Sequence, residues 1–228
     1  KYFGGKAVNY GLLRRTIASN CEPAVAFSFD LWESFFDQSL PGEGTLHQAI
    51  SRRLSGFTNF PPDINAVHIQ LAAIRGLITG QASFSPALRG VVTNALSGFD
   101  PTQKIRFRSS SNAEDSTSFV AAGLYDSFSG CLLDDLDANT TGPCGCDATE
   151  SEERGVFRAI QKVYASFYND NAFLERLRRQ IDESQVAMAV LVHTSTPDEL
   201  EMANGVAQIS YQPTRWGPAI LTGDLVTQ

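Results

Sequence analysis

A guanidinium delivered into a run of hydroxyls is the first chemistry this chain offers. Between Lys104 and Gly130, a strand-like start with Ile105 and Phe107 leads to Arg108, Ser109, Ser110 and Ser111, and then to the adjacent acids Glu114 and Asp115. Ser118, the pair Ala121–Ala122 and Gly123 follow, before a second strand-like run. An arginine fork, many small donors and a glycine suit a polyanion such as a nucleotide triphosphate. The two acids could help hold the metal that accompanies it. Composition alone equally allows a solvated, serine-rich turn between two strands. Near the start of the chain, Gly4 and Gly5 leave backbone N–H groups exposed at what reads as the first turn of a helix, and Lys6 adds a point charge there. That combination is a candidate anion site, although it is not the Walker pattern, which needs a longer glycine spacing and a following Ser or Thr.

Taken together, the two segments resemble one family. Gly-Gly-Lys-Ala-x-Asn-x-Gly from Gly4 and Arg-Ser-Ser-x-x-x-Glu-Asp-x-x-x-x-Phe-x-x-x-Gly-x-Tyr-Asp-Ser from Arg108 are similar to the N-terminal nucleotide-binding domain of pyruvate phosphate dikinase. Phosphoenolpyruvate synthase and the glucan water dikinases share that domain, which has an ATP-grasp-type fold. The segments Glu22–Phe36 and Val186–His193 also fall where that family has a proline-led strand entering a helix and an apolar strand before the adenine pocket. The resemblance implies phosphoryl transfer from ATP with Mg2+, by way of a phosphohistidine domain and an acceptor domain elsewhere in a parent chain. It implies that Gly5, Lys6 and Arg108 contact phosphates, and that Ser109, Ser110 and the backbone from Ser118 to Gly123 form a closing lid. Glu114 and Asp115 would order Arg108 or sit near the metal, the ordering role being preferred; their plainer reading is acids capping a turn.

The chain also departs from the family. The segment that supplies metal-binding acids and a Gln-x-Arg-Pro motif are both missing, and Gln212-Pro213-Thr214-Arg215 has the wrong order. His47, His68 and His193 lie in no phosphohistidine context, and His193 stands where the family commonly has Gln. The expectation is therefore an incomplete ATP-grasp-type module that is not catalytically competent alone. The alternative is a degenerate module that binds a nucleotide or a partner without turnover.

Composition bounds this reading without sharpening it. At 228 residues, with 43% hydrophobic and 19% charged residues, the chain can bury a proper core. A net charge of −7 argues against nucleic acid, yet a nucleotide site needs only a few local cations. No apolar run is long enough to span a bilayer. No secretory signal is visible, which suggests a cytoplasmic protein, although the chain opens at Lys1 without a methionine.

Periodicity predicts an α+β architecture, a helical N-terminal half followed by an antiparallel-rich sheet flanked by helices. Residues 1–99 form the mostly helical part and 100–228 the sheet-containing part, both as pieces of one module. Ser28 or Asp30, and Ser85 followed by Pro86, read as helix starts. The acidic stretch from Leu133 to Glu153 reads as a solvated surface insertion. Cys21 and Cys131 read as buried thiols. Cys144 and Cys146 read as an exposed, oxidisable pair, because their spacing is shorter than in common zinc sites and no second Cys or His pair lies nearby in sequence.

Overall fold

The segment Ile-Arg-Phe-Arg-Ser-Ser-Ser from Ile105 contains the alternation that organises the molecule. Successive strand side chains point to opposite faces. Ile105 and Phe107 are fully buried whereas Arg108 is exposed. The apolar positions therefore fix one face as the core side and send both arginines to the other.

The computed structural model describes residues 2–113, 123–137, 139, 141–196, 205–213 and 220–227, the last two segments chiefly through their backbone. In chain order the elements are α1 (Gly5–Thr16), β1 (Ala24–Phe27), α2 (Phe29–Phe36), β2 (Ser39–Leu40), β3 (Gly44–Thr45), α3 (Leu46–Leu54), α4 (Ile64–Gly76), α5 (Pro86–Ala95), β4 (Ile105–Ser111), β5 (Ser127–Gly130), α6 (Leu133–Leu136), α7 (Val156–Ser166), α8 (Asp170–Arg178), β6 (Met188–Thr194), β7 (Gly205–Gln212) and β8 (Ile220–Thr227). The chain divides into two units, residues 1–195 and 196–228. In the second, β7 and β8 pair antiparallel from Gly205 opposite Thr227 to Gln212 opposite Ile220.

The first unit is α+β. Its main sheet has the order β1-β6-β4-β5, every neighbouring pair antiparallel. Helix starts follow the capping chemistry expected of the sequence. Ser28 Oγ accepts from the Asp30 amide at α2, and Ser85 Oγ accepts from the Leu88 amide at α5, with Pro86 in the first turn. Thr45 and Gln48 form a reciprocal capping box at α3. Among the described residues no helix is long and apolar enough to cross a membrane.

The core is largely aromatic. Trp32 stacks on Phe36 at 3.9 Å and meets Tyr164 and Phe167 edge-on at 5.0 and 5.2 Å. Phe35 bridges to Phe84 at 4.7 Å. Helix α7 lies so close to the sheet that a Cβ on Gly130 would fall 2.9 Å from Val156 Cα and 3.2 Å from the Phe107 ring, so only glycine allows that approach.

The stretch from Leu133 to Glu153 lies mostly at the surface, as its composition suggests, but it is tied down from within. Asp134 is buried and accepts backbone N–H groups from Gly145 at 2.7 Å and Arg154 at 2.6 Å, which folds the segment back on itself. Cys131 and Cys146 form a disulfide across a sequence separation of 15. The cysteine expectations are corrected accordingly. Cys131 is buried but bonded, Cys144 is a buried free thiol rather than an exposed one, and Cys21 is only half-buried. Sequence spacing misses this because the partner of Cys146 is brought to it by Asp134, not by a neighbouring cysteine.

Tyr164 is fully buried, and its hydroxyl has no hydrogen-bond partner among the described residues. An unpaired buried hydroxyl costs about 1–3 kcal/mol, and its three aromatic neighbours would accept phenylalanine without a change of shape. Tyr164→Phe should therefore raise unfolding stability by about 1 kcal/mol or more, measured as a higher urea midpoint at unchanged slope. A lower midpoint would show that the hydroxyl is satisfied.

Candidate functional site

The non-core face of the sheet collects cations. Residues directly opposite one another in an antiparallel pair share a face. Arg106 lies opposite His193 on β6 and Ser129 on β5, and Arg108 lies opposite Leu191 and Ser127. Arg106 Nη1 donates to Ser129 Oγ at 3.2 Å. Burial, reinforced by the charge of Arg108, works against the Arg106 guanidinium and lowers its pKa. Two arginines two residues apart on one face make a local positive field, although the chain as a whole is acidic.

Helix α1 is seated on this face by its first residues. Gly4 is buried against β4; a Cβ there would lie 2.0 Å from the Ser110 carbonyl oxygen and 2.4 Å from that of Ser111. Lys6 Nζ donates to Ser109 Oγ at 3.1 Å, and the Ala7 amide donates to Ser110 Oγ at 3.0 Å. Adjacent residues of the first helical turn thus engage adjacent hydroxyls 103 positions away. One turn further along, the Tyr10 ring stacks over His193 at 6.2 Å, and Tyr10 Oη donates to the Glu22 carbonyl at 2.7 Å. Burial first, and then the charges of Arg108 and Arg106, lower the pKa of His193; a hydrogen bond with the Thr194 carbonyl works in the opposite sense.

The residues singled out from sequence divide into three groups. Lys6, Ser109 and Ser110 come together at the junction of α1 and β4, beside the helix start at Gly4 and Gly5; Arg108, exposed on β4, acts with its charge on Tyr10 of α1 and on His193. Glu114, Asp115 and Ser118 lie outside the described residues. Gly123, with φ +76°, lines an open depression of about 520 Å3 together with Arg75, Leu124, Asn169, Asp170 and Asn171. In that depression Asp170 receives Arg75 Nη1 at 2.9 Å and pairs with His68. Burial opposes its charge, but the bonds from His68 and Arg75 outweigh this and hold the carboxyl below its usual range.

Just after Gly123 the chain is firmly anchored. Tyr125 is buried, stacks on Phe167 at 5.7 Å and interplanar 2°, and accepts from Arg176 Nη1 at 3.2 Å. Arg176 is completely buried, lies 3.9 Å over the Phe167 ring and pairs with Glu183 at 2.7 Å. Sequence reasoning did not single out Arg106, Tyr10, Asp170 or Arg176. Arg106 was legible from the alternation that selects Arg108; the other three carry no local signal.

Two outcomes follow. Gly4→Ala should push α1 off β4, because the obstructing atoms are backbone. Hydrogen exchange of the α1 amides should accelerate while the β6 amides stay protected; unchanged α1 protection would refute the close approach. For His193, a folded pKa below the unfolded value of about 6.5 means that the unfolded state binds more protons. Its contribution is complete above pH ~6.5 and declines as pH falls below it. His193→Gln should flatten the loss of stability between neutral pH and about 5.5, read as the difference between the two proteins' urea midpoints.

The comparisons with known proteins agree on one assignment. The family profile described as pyruvate phosphate dikinase, AMP/ATP-binding domain, matches residues 1–214. Rifampicin phosphotransferase of Streptomyces sviceus is 26% identical over 189 residues, covering 83% of this chain and 19% of that protein. The chain thus corresponds to a small part of that relative's length. With the profile extending through both the α1 turn and the β4 segment, the chain belongs to the pyruvate phosphate dikinase AMP/ATP-binding domain family.

Proposed function

We propose that this chain is the ATP-binding portion of a dikinase-type phosphotransferase, with Lys6 and Arg108 holding the nucleotide phosphates. The observation that carries the reading is the junction itself. Lys6 Nζ bonds Ser109 Oγ at 3.1 Å, on a helix start held against β4 by a glycine that no larger residue could replace, and Arg108 precedes Ser109 on the same strand with its charge acting on Tyr10 of the same helix. A helix N-terminus and an ammonium, with a guanidinium carried by the neighbouring residue of the strand, are complementary to a polyphosphate.

Phosphoryl transfer leaves little covalent work for the protein, so positioning and charge stabilisation dominate. Lys6 acts as a point charge tethered to β4, and Arg108, exposed on the strand, supplies the planar fork. Gly5 contributes backbone N–H. Ser109 and Ser110 fix the helix start, while Ser118 through Gly123 close over the phosphates and exclude water, favouring transfer over hydrolysis. Glu114 and Asp115 orient Arg108. The anchoring of Tyr125 on Arg176 gives that closing segment a rigid C-terminal end.

The described residues around this junction fit the phosphates of a nucleotide. Among the described residues, Glu22 is the one carboxylate whose charge acts on Tyr10 and His193. Magnesium binds through carboxylates, water and phosphate oxygens; Glu114 and Asp115, the acids of the motif, lie outside the described residues, and no step is derived through the ion. The phosphoryl group would pass to a histidine of another domain in a longer chain, and from there to an acceptor such as a carboxylic keto acid, a glucan, an antibiotic or water.

Arg108→Lys should weaken ATP binding roughly tenfold or more, the value of about 1.5–3 kcal/mol for charge-assisted contacts that a lysine does not reproduce. Because Arg108 is exposed, the melting temperature should stay within a few degrees. Isothermal calorimetry with ATP and a thermal melt test both halves, and unchanged affinity at unchanged stability would remove Arg108 from the phosphate site.

A further inference from the structure

Three of the four cysteines converge at one place that the nucleotide reading does not use. The sulfurs of Cys131, Cys144 and Cys146 all lie within 4.8 Å of one another. Cys131 and Cys146 are joined and Cys144 is a free, buried thiol beside them. If a thiol beside a disulfide were the whole arrangement, it would be an accident of packing. The groups around Cys144 argue otherwise.

The Asp134 carboxylate is tied to this loop by the Gly145 amide, which lies between Cys144 and Cys146 in sequence and donates to Asp134 Oδ1 at 2.7 Å. The turn is reinforced by a bond from the Asp147 amide to the Cys144 carbonyl at 3.2 Å and by a bond from the Cys144 amide to Glu150 at 3.0 Å. Lys104 Nζ holds the Asp147 carboxylate at 2.7 Å.

Asp134 is buried, it forms no salt bridge among the described residues, and its oxygens accept backbone N–H groups from Gly145 and Arg154. A buried carboxylate held by amides alone, with no cation beside it among the described residues, gains when a positive charge joins it. Two short pairs therefore face each other, Cys131-x-x-Asp134 and Cys144-x-Cys146. Sulfur and carboxylate oxygen are both zinc ligands, and four of them make a closed tetrahedral site. Zn–S bonds of about 2.3 Å place tetrahedral sulfurs about 3.8 Å apart, inside the 4.8 Å that now spans the three sulfurs; those of Cys131 and Cys146, joined in the disulfide, must part to reach that separation.

We propose that Cys131, Asp134, Cys144 and Cys146 form a site for a thiophilic divalent cation of the zinc class, available when the Cys131–Cys146 bond is reduced. Reduction by a dithiol splits the S–S bond into two thiols, and the dithiol leaves as its own disulfide. The cation then displaces one proton from each of the three thiols to solvent and forms three metal–sulfur bonds, with Asp134 as the fourth ligand. Disulfide and metal are thus alternative states of one cluster, both of which staple the 131–155 segment. The proposal does not depend on nucleotide binding.

Cobalt(II) titration of the whole chain tests it. After reduction with a phosphine, one equivalent of cobalt should produce thiolate-to-metal charge transfer and the visible bands of a tetrahedral ion, and zinc should displace it. Zinc should also raise the melting temperature of the reduced protein. Cys144→Ser should abolish the charge-transfer band, Asp134→Asn should weaken affinity at least roughly tenfold, and Cys21→Ser should change neither. Circular dichroism of each metal-free variant separates lost binding from lost folding, and the zinc-dependent melt of the unmutated protein stands whichever variants fold. A reduced protein with all its thiols free that gives no such bands overturns the proposal. So do bands that persist in Cys144→Ser, or equal binding by the unreduced protein.

Discussion

Burial of Ile105 and Phe107 on one side of β4 determines where the charge of this molecule can act. The strand has a side-chain period of two, so packing those residues under α7 leaves Arg106 and Arg108 no position but the opposite face. A shift of one residue would bury both guanidiniums in an aromatic core and expose both apolar side chains. Since uncompensated buried charge is among the most costly errors a fold can contain, the register is held firmly. β6 and β5 on either side then bring His193 and Ser129 alongside Arg106.

The same strand receives α1. Helix α1 has no buried residue, and its apolar positions Val8, Leu12 and Leu13 are largely exposed, so it is not held by an apolar stripe of the usual kind. What holds it among the described residues is polar and local: the close approach of Gly4, the bonds of Lys6 and Ala7 to the two serines, and Tyr10 over His193. A helix attached mainly by its first turn is expected to open locally at modest cost.

Elsewhere, buried polar groups tie segments together. Arg176 is the clearest case: fully buried, stacked on Phe167, and bonded to Glu183, Tyr125 and the Phe167 carbonyl. Its pKa is raised even though burial alone works against its charge, because Glu183 and Tyr125 more than offset that cost. Removing one partner of such a group leaves a buried charge unpaired, which costs more than the pair contributes. Asp134 plays the corresponding role in the 131–155 segment, with backbone amides in place of charged partners.

Much of this was decided locally. The caps at Ser28, Asp63 and Ser85, the amphipathic α7 and the alternation around Phe107 are local patterns, and short-range chemistry set them. The cationic side chains of the candidate site, Lys6 and Arg108, were visible because they sit in two motifs of distinctive composition. Only the tertiary structure decided which of those residues meet. Lys6 finds Ser109, Tyr125 finds Arg176, and Asp170 finds Arg75 across separations that no periodicity spans. The cysteines make the contrast plainest. Spacing in sequence presents Cys144 and Cys146 as an isolated pair in an acidic loop, whereas two amides reaching the buried Asp134 carboxylate fold that loop onto Cys131. Local sequence sets what a segment prefers; which distant groups it meets depends on where desolvated polar atoms find partners, and that is a property of the whole fold.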